Sequence, residues 1–189
     1  MSYYKALFIF WQKLFSKNEN NKNNIFYIIN EVSELAKLIF EMNDIQFLLC
    51  KEKNFYDMQK NKNIPYEGLV YKSYLDKKII YSRISLENNN FSNKDLKDKN
   101  SSISMNNNEE IIIIPIQELL KNDIIMILQI KTNKKLGINY NNDKLDIDNY
   151  KLTDDYYFII ENMVLILQKY FTENLELIQK FHNFKKIIN

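Results

Sequence analysis

The chain has 189 residues, 46% of them hydrophobic and 14% aromatic, which suits one domain with an ample core. Its 26 basic and 24 acidic residues leave a formal net charge of +2, so no whole-chain field favours nucleic acid or anionic lipid. The single cysteine, Cys50, excludes an internal disulfide and a thiolate-built metal site, as suits a reducing compartment.

Asn, Lys and Ile are over-represented, the signature of AT-rich codons, so a lone Asn or Lys means little. Glycine and proline occur only twice each and mark positions where the backbone needs them.

In chain order, MSYYKALFIFWQKLFSK sets Tyr4, Leu7, Phe8, Trp11, Leu14 and Phe15 at helical spacing and predicts an amphipathic helix that ends in the polar run SKNENNKNN. Its apolar run, Ala6 to Trp11, is shorter than a secretory core and no small-residue cleavage site follows. No stretch reaches the ~20 apolar residues of a membrane-spanning helix. The expectation is a cytoplasmic chain without an integral membrane segment.

A second helix is predicted from about Asn24 to Met42, with Ile25, Ile28, Ile29, Val32, Leu35, Ala36 and Ile39 on one face. DIQFLLCKEKNFYDMQK reads as two strands, Ile45 to Lys51 and Phe55 to Gln59, joined through Glu52 to Asn54 as a hairpin. IPYEGLVYKSYLDKKIIYSR crowds Pro65 and Gly68 together, then gives a short helix over Glu67 to Leu75 and a third strand, KIIYSRI. Ser85 to Glu110 is polar and Asn-rich, the composition of a loop.

EEIIIIPIQE and DIIMILQIKTN are too continuously apolar to alternate, so they are expected as antiparallel neighbours at the centre of a sheet covered on both faces. A second polar loop, Lys134 to Lys151, leads into LTDDYYFIIENMVLILQKYF, a long helix with Thr153 as N-cap and Asp154 and Asp155 in its first turn. Met163, Val164, Leu167 and Phe171 form one apolar stripe of that helix; Ile159, Ile166, Tyr170 and Leu177 form another. One stripe covers the sheet. The other, with Leu7, Trp11 and Leu14 of the first helix, needs a partner: each other, a second copy of the chain, or another protein.

This order predicts an α+β domain, an antiparallel sheet with the terminal helices packed on one face and a short helix plus loops on the other. The residues from about Asn24 to Phe171 resemble a GAF domain, the sensor module related to PAS domains. The likeness rests on the proline, glycine, helix and strand of IPYEGLVYKSYLDKKIIYSR, the proline-bearing strand IIIIPIQE, the strand DIIMILQIKTN and the closing helix that begins at Thr153. The chain departs from the family where glycines usually stand, at Asp76 to Lys78 and in the strand that holds Met126. The expected layout is an N-terminal helix and linker over 1–22, the GAF-like domain over 23–172 and a helical extension over 173–189.

The resemblance implies a ligand cavity walled by the short helix, and a regulatory or sensory role. Tyr66, Tyr71, Tyr74, Tyr81 and Arg83 are its candidate ligand residues. The tyrosines read either as a platform for a planar ligand or as core packing. Arg83, the only arginine, reads either as a clamp for a carboxylate or phosphate or as a surface ion pair with Glu109 or Glu110. The acid-bearing Asn-Lys, Phe and Asp-Glu pattern of the cyclic-nucleotide-binding members is missing. Cys50 lies in a core-like strand, away from where a bilin would attach, and free methionine sulfoxide reduction in this family uses several cysteines. His182, the only histidine, stands in the tail, so neither a triad nor a zinc site assembles inside the domain. The expectation is a non-catalytic interaction module that pairs with itself or a partner protein through its terminal helices and uses no cofactor. A small-molecule sensor is the alternative.

Overall fold

The computed structural model describes residues 2–16, 24–50, 54–84, 109–119, 123–139 and 150–173. In chain order the elements are α1 (Tyr3–Phe15), α2 (Ile25–Phe40), β1 (Met42–Cys50), β2 (Asn54–Asp57), β3 (Lys62–Pro65), α3 (Gly68–Asp76), β4 (Ile80–Ile84), β5 (Glu109–Gln117), β6 (Ile124–Thr132), β7 (Gly137–Asn139), β8 (Tyr150–Leu152) and α4 (Asp154–Glu173). The predicted α+β class holds: one antiparallel sheet in the order β3-β2-β1-β6-β5-β4, with β7 and β8 as a separate small ribbon.

Local chemistry sets the helix ends. The Asn24 side chain accepts from the Phe26 N–H at 3.0 Å and satisfies an amide that the first turn of α2 leaves open. That helix stops at Glu41, whose left-handed backbone, φ 49°, turns its N–H back onto the Lys37 carbonyl. At the start of α4, Asp154 and Asp155 sit where the helix dipole favours negative charge.

The apolar strands β5 and β6 pair as expected, from Glu110 opposite Thr132 to Gln117 opposite Ile124, with an irregularity between Ile116 and Gln117. The sheet centre is shared by β1 and β6, with β5 one place further out. Pro115 is tolerated because β4 pairs only as far as Ile113, so β5 has already lost one strand neighbour where the N–H is missing.

The sheet has two covered faces. On one, α1, α2 and α4 pack over Phe47, Leu49, Ile112, Ile114, Leu128 and Ile130. On the other, Val70 of α3 joins Leu48, Cys50, Phe55, Ile111, Ile113 and Ile127. Each such aliphatic side chain contributes about 1.5–3 kcal/mol through burial, which is why both strand faces can be apolar at once.

Three short strands, β3, β7 and β8, go beyond the predicted elements. The β2–β3 hairpin is held by Asp57, whose Oδ1 accepts from the N–H groups of Gln59 and Lys60 at 2.9 and 3.0 Å, and by the Tyr56 hydroxyl bound to Asn61 Oδ1. β7 and all but the last residue of β8 lie within the stretch read as a polar loop, Lys134 to Lys151. The ribbon's entry requires Gly137, where a Cβ would lie 2.2 Å from Tyr81 Cε1 and 2.6 Å from the Lys151 carbonyl.

Candidate functional site

Two regions of the fold collect the residues singled out in the sequence. The first is the junction of Pro65 and Gly68 with α3. The Glu67 N–H bonds the Pro65 carbonyl at 2.9 Å, and Gly68 opens the helix at φ 70°, which favours a residue without a Cβ. This turn aims Tyr66 and the first turns of α3 at the sheet. Tyr66 and Tyr71 stack at 5.1 Å, Tyr66 and Tyr74 at 5.5 Å, and Phe55 of β2 meets Tyr66 at 4.4 Å. Burial pushes the Tyr66 and Tyr74 hydroxyls above their ordinary range.

Tyr66, Tyr71 and Tyr74 therefore form one cluster, and Tyr81 does not join it. Tyr81 lies on the helix-covered face, where its hydroxyl donates to Glu110 Oε2 at 2.6 Å. Alternation along β4 is the reason: Ile80 turns to the α3 side and Tyr81 to the opposite one. Arg83 pairs through its backbone with Glu110 in the β4–β5 ladder; its side chain lies outside the described residues.

The second region is the bundle of terminal helices. Leu7, Leu14, Ile159 and Tyr170, read as interface positions, are buried inside the chain. They are corrected to core residues because the spare stripes of α1 and α4 meet each other; Phe15, for example, packs edge-on to Tyr170 at 5.6 Å. Ile166 is partly buried against the same core, and Leu177 lies outside the described residues. Burial pushes the Tyr170 hydroxyl up to about 12.

What α1 still shows to solvent is aromatic. Tyr4 is 62% exposed, Phe8 54% and Trp11 40%. Phe8 stacks on Trp11 at 6.0 Å, and Tyr4 reaches Phe158 of α4 at 6.0 Å, so the stripe continues from one helix to the next. Phe158 and Leu165 extend it along α4. Sequence reasoning found Trp11 but not Tyr4, Phe8 and Phe158 as the outward set. The signal on α1 was the i, i+4, i+7 spacing of Tyr4, Phe8 and Trp11, a stripe that runs beside the buried Leu7 and Leu14.

On the α2 side of α1, a groove of about 440 Å³ runs between the two helices over Ala6, Ile9, Phe10, Leu35 and Leu38. Its rim charges neutralise one another, Lys13 with Glu31 and Lys37 with Glu34, each at 2.8 Å. Among the described residues no group of three or more His, Cys, Asp or Glu side chains is placed to hold a metal ion, and His182 lies outside them. Among the described residues, too, no helix is long and apolar enough to cross a membrane.

No family model and no curated protein matches the sequence. Solved structures do. The chain is similar to the GAF domain of A. aeolicus nlh2, solved in an inactive state, at 12% identity and a TM-score of 0.59, covering 91% of this chain and 96% of that one. It is also similar to the GAF domain of a two-component sensor histidine kinase from Bacillus halodurans, at 22% identity and a TM-score of 0.54, covering 82% and 97%. The chain has the GAF fold.

Proposed function

We propose that this chain is a non-catalytic regulatory module that pairs with a second copy of itself through the outer face of α1 and α4. The observation that carries the reading is the continuous exposed stripe Tyr4, Phe8, Trp11 and Phe158, an apolar patch of a kind that marks interaction surfaces. Charge favours a second copy as the occupant. The thirteen residues of α1 carry no acid and include Lys5, whereas α4 opens with Asp154 and Asp155. A twofold axis that lays α1 of one copy along α4 of the other sets bases opposite acids twice. The similar Bacillus halodurans domain belongs to a sensor histidine kinase, which supports a signalling role here.

A ligand-sensing role for the α3 face ranks second. The described residues under α3 pack against one another, so a ligand there would have to displace Tyr66, Tyr71 or Tyr74.

Sedimentation velocity tests the leading reading. The wild-type chain is expected to form dimers in the micromolar range that weaken as salt is raised. Phe8→Glu and Phe158→Glu are each expected to leave monomers with an unchanged circular dichroism spectrum, since both side chains are exposed. A wild-type chain that stays monomeric throughout, or variants that dimerise as well as it does, would end the second-copy reading.

A further inference from the structure

Six consecutive residues, from the last of β6 to the first of β7, tie the sheet to α1, α2 and α4. Thr132 Oγ1 donates to the Phe40 carbonyl at 2.6 Å, at the end of α2, and accepts from the Lys134 N–H at 2.9 Å. The Lys134 ammonium spends its three donors on the first turn of α1 and the C-terminal end of α2. It meets Glu41 Oε1 at 2.6 Å, the Tyr3 hydroxyl at 3.3 Å and the Ile39 carbonyl at 3.4 Å. The Tyr3 hydroxyl in turn lies 3.2 Å from that of Tyr156, so one side chain gathers the first turns of α1 and α4 and the last turn of α2.

Two residues later the same segment grips the outer part of the sheet. The Leu136 N–H donates to Glu110 Oε2 at 2.7 Å, the oxygen that also takes the Tyr81 hydroxyl, and the Leu136 carbonyl accepts from the Thr153 N–H at 3.1 Å. Glu110 is 3% exposed, so its carboxylate depends on these protein donors. Gly137 then passes Tyr81 too closely for any side chain.

We propose that Thr132–Gly137 is a relay, through which the docking of α1 and the start of α4 depend on the Tyr81–Glu110 bond at the β4–β5 end of the sheet. Loss of the Tyr81 donor leaves a buried carboxylate short of one bond. The Leu136 stretch then opens to let water in, and Lys134, two residues away on the same turn, loses its fixed position between Tyr3 and Glu41. The relay uses contacts within one chain and stands whether or not the aromatic face pairs with a second copy.

Hydrogen exchange resolved by segment tests it on the full chain, with wild type, Tyr81→Phe, Lys134→Met and the double variant at one concentration and one association state. Tyr81→Phe is expected to raise exchange in α1 and in the first turn of α4 by roughly tenfold, the scale of one hydrogen bond to a charged group. Lys134→Met should do the same, and the double variant should add little to either. Exchange that rises in β4, β5 and β7 alone, with α1 unchanged, would overturn the relay. So would rises that multiply in the double variant, as they do for independent sites. Should Tyr81→Phe loosen every segment equally, Glu110→Gln keeps an acceptor in place and is read by the same two criteria.

Discussion

Lys77 occupies a conformation that a glycine would hold without strain. It ends α3 at φ 54° and ψ 34°, the left-handed position where helices commonly place glycine and where a Cβ is unfavourable. The resemblance read in the sequence implies a glycine around Asp76 to Lys78; here Lys77 holds the left-handed position. Lys77→Gly is therefore expected to stabilise the chain by about 0.5–1 kcal/mol in urea denaturation. A loss of stability would instead show that contacts of the Lys77 side chain outweigh the backbone gain. The scarcity of glycine made the two that remain legible, since Gly68 holds a positive φ and Gly137 a close approach. What the sequence did not disclose is that three non-glycine residues, Glu41, Asn61 and Lys77, also turn left-handed. Composition shows where a permissive residue was kept, not where the backbone tolerates an ordinary one.

At the scale of elements, periodicity carried the reading as far as there were periods to count. The four helices among the described residues and the long strands were visible because each repeats its apolar pattern. The strands β7 and β8 have three residues apiece, and β3, KNIP, has only Ile64 partly buried, so none offers a pattern against its polar surroundings. The tyrosine cluster was three-quarters legible: Tyr66, Tyr71 and Tyr74 share a turn and a helix, but Tyr81 follows strand alternation to the other face. The helix bundle shows the reverse difficulty. Both apolar stripes of α1 and α4 were found, and sequence alone does not say which of two stripes meets the neighbouring helix. The structure separates them, with Leu14 only 1% exposed. Leu14→Ala is expected to cost about 2–5 kcal/mol, as large-to-small changes in a filled core do. Thermal or urea unfolding measures this, and a cost below that of an ordinary surface change would mean that α1 does not dock as described.

For the molecule as a whole, the ionisable groups held by burial set a common alkaline limit. Burial raises the Tyr170 hydroxyl to about 12 and raises those of Tyr66, Tyr74 and Tyr27 in the same direction. The bond to Glu41 raises Lys134 as well, so its ammonium stays protonated in the folded chain beyond its ordinary range. In each case the unfolded chain gives up its proton first. Above about pH 10 the folded state binds more protons than the unfolded one, and stability falls as pH rises. Tyr3 runs the other way, because its bonds to Tyr156 and Lys134 lower it, while burial raises its partner Tyr156, so that pair offsets itself in part. Tyr170 lies apart from the Lys134 cluster and gives the cleanest test. Its contribution is fully present below pH 10 and is lost between there and about 12. One proton of difference corresponds to about 1.4 kcal/mol per pH unit. Stability measured by urea titration from pH 9 to 11.5 should thus fall less steeply for Tyr170→Phe than for the wild type, by up to one proton's worth of slope. Equal slopes would mean that the Tyr170 hydroxyl reaches water in the native state, and that α1 and α4 part more readily than their packing at Phe15 implies.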